Sequence, residues 1–241
     1  MRLVTWNVNS LKIRLPRVLE FLDQHAPDVV CLQETKTEPE AFPADELAAA
    51  GYAAVHHSAG RWAGVAILAR DGLALTDPVR GLPGEARPEE ARWVEADVDG
   101  IRVASTYVVN GRAVGSPTFA EKLDFLDAMI ARMTALRGRD AFFAGDFNIA
   151  PADIDVYDPV AFQGATHVTE DERSRLRRML DEGGLVDAHV ALHGPDAQQF
   201  TWWDYRQGHF HRGLGLRIDL ALVGGSLAAG LQRVGIERDY R

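Results

Sequence analysis

The feature that most narrows the fold is the length and spacing of the apolar runs. Residues Arg2 to Val8, Asp28 to Leu32 (DVVCL), Gly64 to Ala69 (GVAILA), Trp93 to Val98, Arg102 to Val109, Ala141 to Ala144 and Arg217 to Val223 are short and apolar, and read as buried strands. Between them apolar residues recur at helical spacing. Leu15, Val18, Leu19 and Leu22 form one such set, ending near Ala26-Pro27, and Leu123, Leu126, Ile130 and Met133 follow Phe119 in another. Thr169-Glu170-Asp171-Glu172 has the capping-box pattern and opens a helix through Leu176, Met179 and Leu180 that Gly183-Gly184 stops. Asp99-Gly100 is a hairpin signal between two strands. Strands dominate each half, with a helix or two per half. The Pro- and Glu-rich stretch Leu82 to Glu90 reads as a surface excursion rather than a linker, so a single α/β domain over residues 1–241 is expected.

Charge and composition remove several functions. The net charge of −9 argues against broad, unspecific nucleic-acid binding, because an acidic surface repels phosphate. Positive charge is almost all Arg, the only lysines being Lys12, Lys36 and Lys122. No apolar run approaches a membrane span and the first ten residues lack a signal-peptide core, so no membrane association is expected. The single Cys31 cannot form an internal disulfide, which fits a reducing cytoplasm.

Several of the strands carry polar residues of catalytic type at one end: Trp6-Asn7-Val8-Asn9, Gln33-Glu34, Tyr107 with Asn110, Asp146 with Asn148, and Arg217 with Asp219. One such end is ordinary turn chemistry. Five are the pattern of a site assembled on one rim of a scaffold. No Cys/His cluster has zinc spacing, no GxxxxGK[ST] loop is present, and no GxSxG elbow occurs. The eight histidines (His25, His56, His57, His167, His189, His193, His209, His211) fit no ligand spacing and read as surface or loop residues. Carboxylates with amides suit Mg²⁺, which takes one or two carboxylates and completes its shell with water and substrate phosphate. Phosphoester hydrolysis is the chemistry such a set serves.

These residues lie in recognisable stretches: TWNVNSLKIRL, CLQETK, GVAILAR, GRAVGSPTFAEKLDFLDAM, GDFNIAPADIDVYDP, FQGATHVTEDER, GLVDAH, FTWWDYR and GLRID. In order and over essentially the whole chain they resemble the exonuclease III type of the endonuclease/exonuclease/phosphatase superfamily, the bacterial apurinic/apyrimidinic endonucleases. The resemblance implies a four-layer α-β-β-α sandwich of two packed mixed sheets with outer helices. It makes Glu34 the principal metal ligand with Asn7 beside it, and Asp146 the group that readies the attacking water and also contacts metal. Asn148 and Tyr107 would hold the scissile phosphate, Asn148 also counting among the metal-site residues, and Asn110 a neighbouring phosphate. Trp202, Leu216 and Ile218 correspond to an apolar pocket for a flipped-out abasic sugar, a nucleotide that costs less to extrude than a normal one.

The chain also departs from the family pattern. Tyr107-Val108-Val109-Asn110 replaces Tyr-Val-Pro-Asn, His189-Val190 stand where an aromatic and an Arg are usual, and Asn9 stands where some relatives carry Asp. In the family a stretch like Ile236 to Arg241 is followed by a Ser-Asp-His motif and one more apolar strand; the Asp is a metal ligand, and the His, which Asp219 would orient, contacts the scissile phosphate. That motif and strand are expected in a tail beyond Arg241, a truly truncated chain being the alternative. The resemblance thus implies a Mg²⁺-dependent (or Mn²⁺-dependent) DNA repair hydrolase, cytoplasmic and monomeric. It would act on double-stranded DNA, 5′ to abasic sites and at 3′ ends. A non-catalytic nucleic-acid-binding protein and a phosphatase are the alternatives on the same scaffold.

Overall fold

The computed structural model describes residues 1–240. In chain order its elements are β1 (Leu3–Asn7), α1 (Leu11–His25), β2 (Val29–Gln33), α2 (Ala44–Ala49), β3 (Tyr52–His57), β4 (Val65–Arg70), β5 (Leu75–Arg80), β6 (Trp93–Val98), β7 (Ile101–Tyr107), α3 (Pro117–Ala135), β8 (Ala141–Asp146), α4 (Glu170–Gly183), β9 (Leu185–Asp187), α5 (Ala188–His193), β10 (Trp202–Trp203), α6 (His209–Arg212), β11 (Gly215–Leu216), β12 (Asp219–Gly224) and α7 (Ser226–Ala229). They form two compact units. The first holds Met1–Tyr107, Arg139–Asp146 and 237–240, and the second Val108–Gly138 and Phe147–Ile236.

Within the first unit the strands make two mixed sheets. One runs β1-β2-β4-β3, with β1 and β2 parallel and the other pairs antiparallel. The other contains β5, β6 and β7 in antiparallel succession and β8 parallel to β7. Burial on both faces explains why their central strands read as continuous apolar runs rather than alternating ones: every residue of β2 and of β8 is buried. Polar contacts join the two sheets inside this core. Ser105 Oγ donates to Leu32 O at 2.9 Å, and Gln33 Nε2 donates to Ser105 Oγ at 2.9 Å. Helix α1 lays Val18, Phe21 and Leu22 against Val30, Leu32 and Leu68, and Tyr240 closes the same cluster. The Asp99-Gly100 turn between β6 and β7 takes φ of 47° and 84°, the two positive values a tight two-residue hairpin requires.

In the second unit α3 packs on α4. Ser116 caps α3 by accepting from Phe119 N at 3.1 Å, with Pro117 at the first helical position. Thr169 and Glu172 form the expected capping box of α4, and Gly184 ends that helix in the left-handed conformation.

Several sequence expectations shift. Helix α1 begins at Leu11 rather than near Leu15. Strands β3 and β5 carry no clear apolar run: YAAVHH is buried at only two of six positions, and LTDPVR tolerates Pro78 beside an irregularity between Thr76 and Val79 in its pairing with β6. The Leu82 to Glu90 stretch is more than a surface excursion, since Leu82 is buried and its backbone N–H donates to Glu85 Oε1 at 2.5 Å. The last strand begins at Asp219, so Arg217 and Asp219 lead into it rather than follow it.

Candidate active site

The first unit brings together Asn7, Glu34, Tyr107 and Asp146 by strand register. Asn7 is the last residue of β1 and pairs with Gln33, the last of β2, so Glu34 follows one residue beyond. Glu34 sits at φ 52°, a left-handed conformation that a non-glycine residue adopts at a cost and that is common in functional sites. Tyr107 and Asp146 are partners at the ends of the parallel pair β7 and β8.

The amide of Asn7 joins the two carboxylates. Its Nδ2 donates to Glu34 Oε1 at 2.8 Å and to Asp146 Oδ2 at 3.0 Å, while its Oδ1 accepts from Asn9 N at 3.1 Å. A backbone N–H can only donate, so Asn7 Oδ1 must face it and the amide orientation is fixed. Asn7 thus acts here as a donor to both carboxylates. Lys36 adds a cation: its Nζ lies 2.7 Å from Glu34 Oε2 and donates to Asn9 Oδ1 at 2.6 Å. The Tyr107 ring has the Arg92 guanidinium 5.1 Å from its centroid. Burial, the charges of Glu34 and Asp146, and a hydrogen bond to Glu34 push the Tyr107 hydroxyl pKa well up, so it keeps its proton at neutral pH.

The second unit holds the asparagines. Asn148, at φ 51°, donates through Nδ2 to Val108 O at 2.9 Å, and Asn110 Nδ2 donates to Asn148 Oδ1 at 3.3 Å. Asn110 Oδ1 accepts from Arg112 N at 3.2 Å. His167 Nδ1 lies 2.6 Å from Asn148 O, a carbonyl that can only accept, so Nδ1 carries the proton. His167 Nε2 is then left to accept from Asn110 Nδ2, 3.4 Å away. Burial first, and the Lys122 charge second, pull the His167 pKa down to about 4.

Trp202 and Leu216 are partners in the short antiparallel pair β10 and β11. Trp202 is 37% exposed, whereas Leu216 and Ile218 are buried in a cluster with Ala150 and Val156. Thr201 Oγ1 accepts from Ile218 N at 3.1 Å and from Asp219 N at 3.0 Å, fixing the entry to β12. Arg217 is buried: it pairs with Asp155 through Nε at 2.6 Å and with Asp187 through Nη1 at 2.7 Å. It ties the DIDVYDP stretch to β12 and so has a structural explanation, unlike the strand-end role expected for it.

Sequence reasoning passed over Lys36, Lys122 and His167, and read Glu172 only as a cap. The surface-or-loop reading of the histidines is corrected at several positions. His25 lies in α1, and His56 and His57 lie in β3, where His56 stacks on Phe42 at 4.0 Å. His189 is buried in α5, and His167, though in a loop, is partly buried against the asparagines. Their short polar context hid the packing. Among the described residues no three His, Cys, Asp or Glu side chains gather as a metal cluster. Glu34 and Asp146, joined by Asn7, are the hard-oxygen donors that a divalent cation would need.

An α/β fold of two mixed sheets with helices, carrying paired carboxylates and amides at strand ends, matches the sandwich of exonuclease III-like structures. The Endonuclease/Exonuclease/phosphatase family model matches residues 4–240, and the chain belongs to that family, in its exonuclease III/AP endonuclease branch. It is similar to a 3′-5′ exonuclease from Neisseria meningitidis, with 40% identity, TM-score 0.91, and coverage of 96% of this chain and 90% of that one. A 3′ phosphatase from Neisseria bound to product DNA hairpin shares 39% identity at TM-score 0.88, over 94% and 88% of the two chains. An AP endonuclease from Archaeoglobus fulgidus shares 33% at TM-score 0.88, again over 94% and 88%. No helix among the described residues is long and apolar enough to cross a membrane.

Proposed function

We propose that the chain is a divalent-metal-dependent phosphoesterase of DNA repair that cleaves 5′ to abasic sites and removes nucleotides or blocking groups from 3′ ends. The observation that carries this reading is the Asn7 amide bound to both Glu34 and Asp146, in a chain that aligns over 94–96% of its length with an exonuclease and an AP endonuclease. Glu34 and Asp146 are the residues that would hold Mg²⁺ or Mn²⁺, with Asn7 orienting them. Such a cation, when bound, supplies charge neutralisation for the phosphoryl oxygens and the leaving group.

The remaining roles belong to side chains. Asp146 accepts the proton of the attacking water, its carboxylate held in place by Asn7. Tyr107, which keeps its proton, donates to a phosphoryl oxygen rather than acting as a base. Asn148, two residues along the chain from Asp146, steadies the same phosphate and Asn110 a neighbouring one. Trp202 offers an exposed aromatic face to the DNA, beside buried Leu216 and Ile218.

The 3′ phosphatase relative with its DNA hairpin favours end-cleaning as the principal activity over abasic incision. Three substrates separate these: an abasic duplex, a duplex with a recessed 3′ hydroxyl, and a hairpin ending in a 3′ phosphate, each with Mg²⁺ and with EDTA. Absence of metal-dependent hydrolysis on all three refutes the proposal. Asp146→Asn is expected to abolish cleavage while leaving DNA binding nearly intact, and equal loss of both would make Asp146 structural.

A further inference from the structure

Lys122 is completely buried in α3, on a face otherwise made of Phe119, Phe125, Leu126 and Met129. A leucine or methionine would continue that face without the cost of burying a charge. Its ammonium instead donates to Asn148 O at 2.7 Å and pairs with Glu172, with Thr166 Oγ1 at 3.3 Å and Asn110 O at 3.4 Å sharing its third N–H. The Glu172 carboxylate accepts in turn from Thr166 Oγ1 at 3.0 Å, His167 N at 2.9 Å and Thr169 Oγ1 at 2.6 Å. One ion pair therefore ties the backbone at both asparagines to the loop that carries His167. The chain is drawn in tightly there: Gly111, at φ 87°, has room for no side chain, because a Cβ would lie 2.8 Å from Thr166 Oγ1 and 3.1 Å from Lys122 Cδ.

We infer that the Lys122–Glu172 pair is a positioning device for the side-chain amides of Asn110 and Asn148, and so for the phosphate of the substrate. This rests on the functional reading above. Lys122 and Glu172 touch no substrate. They fix two backbone carbonyls, and with them the directions in which two amides point. Preorganisation of this kind is where a displacement of about 1 Å costs roughly a hundredfold in rate.

The test is Lys122→Met combined with Glu172→Gln. The pair is then neutral, and glutamine still completes the α4 capping box, so the variant keeps its helix start. Three measurements are made: kinetics (kcat and KM) on the 3′-phosphate hairpin, Mn²⁺ affinity by calorimetry, and the side-chain amide resonances of Asn110 and Asn148, assigned by their loss in the Asp variants. The expected result is a roughly hundredfold fall in kcat/KM, shifted and broadened amide resonances, and unchanged Mn²⁺ affinity. A merely structural pair would lower the melting temperature and leave the activity of the folded variant alone. Activity within about threefold of the parent together with unmoved amide resonances overturns the inference. An inactive parent protein would overturn the functional reading instead, and the amide resonances would then decide the positioning role by themselves.

Discussion

Gly145, immediately before Asp146, is the position where a single methyl group does most damage. Its register partner across the parallel pair β7 and β8 is Thr106, and an added Cβ would lie 1.9 Å from Thr106 O. Moving that contact from 1.9 Å out to 3.0 Å, below which real Cβ contacts essentially do not occur, takes 1.1 Å of strand separation. Ladder hydrogen bonds of about 2.9 Å would stretch past the limit of useful geometry. Losing two or three of them at about 1 kcal/mol each, with buried groups left unpaired, comes to about 4 kcal/mol. For a chain of this size that lowers the melting temperature by about 8–16 °C.

Gly100→Ala is the control. Gly100 lies in the same unit at φ 84° with no atom within 4 Å of its added Cβ, so it reports backbone strain alone, about 1 kcal/mol and about 2–4 °C. Thermal melts followed by circular dichroism compare the two. Gly145→Ala should also lose most of the activity, because Asp146 and Tyr107 are the next pair in the same register. If the Gly145 variant melts within 2 °C or so of the Gly100 variant, the clash argument is wrong.

Three more outcomes follow from the geometry. Arg217→Met leaves the buried Asp155 and Asp187 carboxylates without their cation and should cost about 3–5 kcal/mol in urea unfolding, part of it recovered by adding Asp155→Asn. His167 has a folded pKa near 4 against an ordinary 6.5, so the unfolded chain binds more protons between those values and stability falls as pH drops through that window. Relative to His167→Gln, the parent protein should lose about 2 kcal/mol between pH 7.5 and 5, measured above the range where Glu172 itself titrates. Lys36 competes for Glu34, so Lys36→Met should raise Mn²⁺ affinity up to about fivefold by calorimetry, the value of a partly exposed ion pair near 1 kcal/mol.

Much of the scaffold was readable in the sequence because its central strands are buried on both faces. GVAILA, DVVCL and AFFA declare themselves without periodicity, and the Thr169–Glu172 cap and the Asp99-Gly100 turn carry their own local chemistry. The residues ending those strands could be proposed as a group for the same reason. Asn7, Glu34, Tyr107 and Asp146 do lie at or just beyond strand ends, and Asn7 reaches both carboxylates. Strands β3 and β5 were illegible because a half-buried or irregular edge has no run of its own. Lys122 was illegible for another reason: a lysine at an apolar helical position looks like an exception to the stripe, and only the fold shows that four acceptors meet it. Spacing could not show that Glu172 serves both the cap and the ion pair, since its second partner lies 50 residues away in sequence.

The interleaving of the two compact units bears on how the protein is made. A ribosome delivers β7, then the whole of α3, and only then β8, whose place is alongside β7. During that interval the β7 edge has not yet received its parallel neighbour, and Lys122 has emerged without Glu172. At about 5–20 residues per second the wait for the glutamate lasts on the order of several seconds. The nascent chain therefore carries an open strand edge and an uncompensated cation on an apolar helix face at the same time. That is the stage of biosynthesis at which a chaperone has something to hold.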